Sequence, residues 1–74
     1  MAQILVTIEK GGDGTFAAYT EELQSVIWGE GNTIEDAKAD FYNSFNEVLQ
    51  LYKDSGTIPQ ELNDPEFIFN EPTI

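Results

Sequence analysis

Cysteine, histidine and arginine are all missing from these 74 residues, and with them go disulfide staples, thiolate nucleophiles, imidazole bases and the usual zinc ligand sets. Most common enzyme mechanisms are excluded at once. Long apolar runs are missing too: none approaches the roughly 20 residues that span a bilayer, so no membrane association is expected. The opening Met-Ala-Gln-Ile-Leu-Val-Thr-Ile has no basic segment of the kind that begins a signal peptide, so the expected location is cytoplasmic. Positive charge is scarce. Lys10, Lys38 and Lys53 stand against fourteen acidic side chains, giving a formal net charge of -11. Such a chain repels nucleic-acid phosphates and anionic membranes, so direct nucleic-acid binding is not expected, whereas a basic partner would be drawn in and steered.

What is present describes one small folded domain over residues 1–74. A chain of this length buries about 60% of the surface that it exposes when unfolded. The 41% apolar content, with nine aromatic residues, argues for a packed core. The acidic residues are dispersed along the chain and form no acidic tail.

Ile4, Val6 and Ile8 alternate with Gln3, Thr7 and Glu9, the period of a strand with one face buried. Lys10-Gly11-Gly12-Asp13-Gly14 is a turn, and Thr15 to Thr20 reads as the returning strand of a hairpin. Ser25-Val26-Ile27-Trp28 predicts a third strand. The period then changes to that of a helix, with Ile34, Ala37, Phe41, Phe45, Val48, Leu49 and Tyr52 on one face over about twenty residues. Thr33 is the expected N-cap, Glu35 and Asp36 favour the positive end of the helix dipole, and Gly56 is the expected left-handed stop. After a loop with two prolines, Glu66 to Asn70 is a short apolar strand. The order is β-β-β-α-β, an α+β fold. A strand reached through a helical crossover joins its sheet in parallel, and placing it beside the first strand makes a four-stranded mixed sheet with one helix on one face. The other face needs cover from side chains such as Leu5, Ala17 and Tyr19, or from another subunit.

Gly29-Glu30-Gly31-Asn32-Thr33-Ile34-Glu35-Asp36-Ala37-Lys38 has the glycines and the helix start of a phosphate-binding turn. Its carboxylates argue against that chemistry, since a phosphate would meet Glu30, Glu35 and Asp36. The glycines read instead as the join between strand and helix. Asp36 and Asp40 lie one helical turn apart on a polar face, and strand acids are limited to Glu9 and the strand ends, so no metal site and no cofactor is expected. Trp28 is either core packing or an interface anchor, and Tyr42 lies off the apolar stripe as a candidate exposed contact.

The stretches Ile4-Leu5-Val6-Thr7-Ile8-Glu9-Lys10, Asp13-Gly14-Thr15-Phe16-Ala17-Ala18-Tyr19, Glu22-Leu23 and Gly31-Asn32-Thr33-Ile34-Glu35-Asp36-Ala37 together resemble the N-terminal domain of HicB-type antitoxins. That family shows a D-G-aromatic hairpin, a D-L-P-G segment and a G-D-T-x-E-E-A helix start. The resemblance implies a partial RNase H-like fold without a catalytic site, used in a type II toxin-antitoxin system to bind and block a small basic toxin that cuts mRNA. Two departures stand out. Glu22-Leu23-Gln24-Ser25 replaces D-L-P-G, and family members usually continue into a DNA-binding helix-turn-helix or ribbon-helix-helix that these residues do not contain.

The expected function is therefore non-enzymatic: an antitoxin-like domain that covers a basic toxin. Asp13, Glu21, Glu22 and Glu30, placed on loops flanking the sheet, are the expected steering contacts, with Trp28 as anchor. Self-association is expected along the third strand, an edge carrying Val26, Ile27 and Trp28 with no Pro or Lys to protect it. The alternatives are a metal-dependent nuclease on the same fold, using Glu9 or Asp36, and a small ligand-binding regulatory module.

Overall fold

The computed structural model describes residues 3–21, 26–59, 62 and 65–71. Four strands and one helix follow in the order β1 (Gln3–Lys10), β2 (Phe16–Thr20), β3 (Ile27–Gly31), α1 (Ile34–Ser55) and β4 (Glu66–Asn70). The sheet order is β3-β2-β1-β4, antiparallel between β1 and β2 and between β2 and β3, and parallel between β1 and β4. This is the mixed four-stranded α+β arrangement that the sequence pattern predicts.

Alternation along β1 buries Ile4, Val6 and Ile8 and turns Leu5 and Glu9 to the opposite, open face. The hairpin closes with the Gly11 N–H donating to the Thr15 carbonyl at 2.7 Å and the Gly14 N–H donating to the Gly11 carbonyl at 3.2 Å. Gly14 has φ 87°, a conformation that only glycine adopts without strain. Asp13 locks the turn, its Oδ1 accepting from the Thr15 hydroxyl at 2.6 Å and from the Thr15 N–H at 3.1 Å.

The helix begins where its cap dictates. Thr33 is extended, and its Oγ1 accepts from the Asp36 N–H at 3.0 Å. At the other end Gly56, with φ 81°, directs its N–H to the Lys53 carbonyl, and the Thr57 N–H reaches the Tyr52 carbonyl. This pair of bonds satisfies carbonyls that the helix itself leaves unpaired. Ala37, Phe41 and Phe45 enter the core, while Val48, Leu49 and Tyr52 pack at its margin. Phe67 and Phe69 of β4 meet Phe41 edge-on at 5.1 and 5.9 Å between centroids. Tyr42 is 43% exposed, yet its ring also lies edge-on to Phe67 and Phe69, so it walls this aromatic cluster.

The third strand corrects the sequence expectation. It runs from Ile27 to Gly31, so Gly29, Glu30 and Gly31 belong to the sheet, and the helix follows after only Asn32 and Thr33. The two glycines answer a tertiary demand. A Cβ on Gly29 would sit 2.2 Å from the backbone nitrogen of Phe41, and one on Gly31 would lie 2.4 Å from Asp36 Cβ. The helix crosses β3 backbone to backbone, and no side chain fits between them. Ile27, on the same strand, is only 1% exposed beneath the helix.

Candidate functional site

The helix covers one face of the sheet only. On the open face, strand register sets the residues in rows. Trp28, Tyr19, Thr7 and Asn70 make one row across all four strands, and Glu30, Ala17 and Glu9 make the next across three. Leu5 and Ile68, paired across β1 and β4, expose apolar surface at the far end.

Tyr19 and Trp28 stack with ring centroids 5.3 Å apart and planes 18° from parallel. Each ring then donates to a carboxylate in the neighbouring row. The Tyr19 hydroxyl donates to Glu9 Oε1 at 2.8 Å, and the Trp28 Nε1–H donates to Glu30 Oε1 at 2.9 Å. The bond to Glu9 raises the Tyr19 pKa above its ordinary value, with desolvation and the charges of Glu9 and Glu21 adding to the effect. Tyr19 therefore stays a neutral donor across the physiological range. The second oxygen of each carboxylate has no partner among the described residues.

Among the described residues the side chain that stands between Glu9 and Glu30 is the methyl of Ala17. The result is a shallow cleft of about 230 Å³ whose lining includes Glu9, Thr15, Ala17, Trp28 and Glu30. Strand spacing separates the Cα atoms of the two glutamates by roughly 10 Å, near enough for both carboxylates to reach one group lying over Ala17.

The sequence-predicted residues separate in space. Trp28 and Glu30 come together on the open face, with Glu30 on β3 and not on a loop. Asp13 stands in the hairpin turn with one carboxylate oxygen committed to Thr15. Glu21 is exposed just after β2, and Glu22 lies outside the described residues. Val26 is 62% exposed beside β3, whereas the burial of Ile27 removes its side chain from any edge contact. Helix side chains also reach the β3 edge: the Glu30 N–H donates to Asp40 Oδ2 at 2.9 Å, and the Ser44 hydroxyl donates to the Trp28 carbonyl at 2.7 Å. Strand addition along that edge has to displace both contacts. Among the described residues no three acidic side chains gather as a metal-holding group, and no helix is long and apolar enough to cross a membrane.

Sequence reasoning placed Tyr19, with Leu5 and Ala17, on the open face and Glu9 on the polar side of the first strand, but joined neither to Trp28 and Glu30 as one site. Their signal was parity: Thr7 and Glu9, Ala17 and Tyr19, and Trp28 and Glu30 are i, i+2 pairs that share a face once the hairpin register is known.

The class that the fold defines is a four-stranded α+β domain with one helix, in which the described residues leave one sheet face uncovered. Comparison with family models, with curated proteins and with solved structures finds no match to this chain.

Proposed function

We propose that this chain is a non-enzymatic, antitoxin-like protein-binding domain that neutralises a small basic mRNA-cleaving toxin in the cytoplasm by covering its surface. The observation that carries the reading is the open sheet face itself. A strongly acidic chain presents there an exposed Trp28 at 47%, the stacked Tyr19, two carboxylates with spare acceptor capacity, and apolar Leu5 and Ile68 at 46% and 43% exposure. Exposed aromatics bordered by charge are the composition of a protein interface. The HicB-type resemblance, with its partial RNase H-like fold, supplies the toxin as partner. The charge supplies steering, so the association rate falls with salt while apolar contact sets the lifetime of the complex. Self-association belongs to the same reading, along the β3 edge that carries Val26 and Trp28, where pairing displaces the Asp40 and Ser44 contacts.

The test is a tagged capture from the source cells at low and raised salt, followed by an RNA-cleavage assay on whatever small basic protein is retained. The expected result is a captured ribonuclease whose cleavage stops at stoichiometric addition of this chain. If no captured protein cleaves RNA, or if cleavage continues with this chain in excess, the antitoxin reading fails.

A further inference from the structure

We infer that the cleft between Glu9 and Glu30 is a receptor for a single arginine side chain of the protein partner. The inference rests on the reading of the open face as the partner-binding surface, and it assigns that surface its central contact. Ala17 leaves a floor without a side chain long enough to fill it, and the two carboxylates stand on either side of that floor. Tyr19 and Trp28 hold one oxygen of each carboxylate by hydrogen bonds, which fixes the heads and leaves the second oxygens to accept. The exposed Trp28 ring, backed by Tyr19, borders the same cleft.

A planar cation with donors on opposite edges fits these acceptors. A guanidinium presents five N–H donors in a rigid fork, so it can lie over Ala17, donate to Glu9 on one side and to Glu30 on the other, and rest against an aromatic ring. An ammonium is a compact point charge that is more strongly hydrated and cannot span both carboxylates equally well. The charge is complementary: two carboxylates face the cleft, in a chain of net charge -11. An anionic ligand would be repelled there.

The sole tryptophan provides the readout. The full chain is titrated with N-acetyl-arginine amide up to high millimolar concentration, while the Trp28 indole N–H resonance and fluorescence are followed. N-acetyl-lysine amide and the uncharged isostere N-acetyl-citrulline amide serve as comparison probes. A saturable shift is expected with the arginine probe, weaker with lysine and about tenfold weaker with citrulline, since a charge-assisted contact is worth that factor or more. E9Q and E30Q should each weaken binding about tenfold. Ala17→Leu should abolish binding with both carboxylates in place, by filling the floor. The backbone spectrum of each variant shows whether its fold is retained, and these residues lie on the open face, away from the core. The inference is overturned if the indole does not respond, if citrulline binds as well as arginine, or if E9Q and E30Q bind the arginine probe as well as wild type. It is also overturned if the E9Q/E30Q double variant still suppresses a captured ribonuclease at the wild-type level, a result that leaves the antitoxin reading standing. A successful arginine titration beside a failed capture experiment has the reverse meaning.

Discussion

Replacing Gly29 by alanine tests the packing of the whole domain with one methyl group. The added Cβ would lie 2.2 Å from Phe41 N, 2.6 Å from Phe41 Cα and 2.7 Å from the Asp40 carbonyl carbon, all of them helix backbone. Carbon atoms pack at about 3.5–4.0 Å, so relief requires α1 to move off β3 by more than about 1 Å. That movement loosens Ala37 and Phe41, which are 0% exposed, together with Phe45 at 7%. Overpacking of a tight core costs about 1–3 kcal/mol when side chains can yield, and the upper end or beyond is expected where the obstacle is backbone. Alanine also restricts the unfolded chain, which returns about 0.4–1 kcal/mol. A net loss of roughly 2–3 kcal/mol remains, against a total stability of about 4–11 kcal/mol for 74 residues. The melting temperature should then fall by about 10–20 °C. Urea titration followed by far-ultraviolet circular dichroism measures the loss directly. Gly12→Ala is the control, because no atom lies within 4 Å of a Cβ there and its change should stay within about 0.5 kcal/mol. A Gly29→Ala protein as stable as the control, with an unchanged denaturant slope, would refute the backbone-to-backbone account of this crossing.

The double substitution Asp40→Ala with Ser44→Ala should free the Glu30 N–H and the Trp28 carbonyl on the β3 edge, and sedimentation velocity should then show more dimer than wild type at equal concentration; an unchanged monomer fraction would mean that these contacts do not guard the edge. The Asp13 carboxyl is held below its ordinary value of 3.8 by the hydrogen bonds from the Thr15 hydroxyl and the Thr15 N–H. A depressed folded-state pKa contributes stability above the ordinary value and loses it as pH falls through the folded one, so the Thr15 amide resonance should titrate with a midpoint below 3.8. A midpoint at or above that value would contradict the turn geometry, and Asp13→Asn should remove the titration altogether.

The parts of this fold that were legible in the sequence are those whose causes are local. Alternation fixed β1, the 3.6-residue period fixed α1, and Thr33 and Gly56 marked its ends because capping is a contact between near neighbours. The parallel place of β4 followed from the crossover. Gly29 and Gly31 misled for the opposite reason. In sequence a glycine reads as a break, whereas here it is demanded by a helix that crosses the strand, meeting Gly31 at Asp36 and Gly29 at Phe41. The candidate site divided in the same way. Trp28 and Glu30 were visible as residue types in a suggestive place, but Glu9 joins them only through the β1–β2 and β2–β3 registers. Asp13 and Glu21 are acidic and exposed, yet neither lies in the lining of the cleft.

The pairing of β4 with β1 also bears on the order of events as the chain emerges during synthesis. Gln3 pairs with Glu66 and Thr7 with Asn70, so one side of β1 finds its neighbour only after more than sixty residues have followed. The β1–β2 hairpin and its extension to β3 involve much shorter separations and can form earlier. Until Asn70 is available, the strand carrying Ile4, Val6 and Ile8 has an open flank, and Phe41 and Phe45 lack the two phenylalanines that cap them in the finished protein. For the nascent chain, the fifth element closes the interior and removes a sticky edge at the same moment.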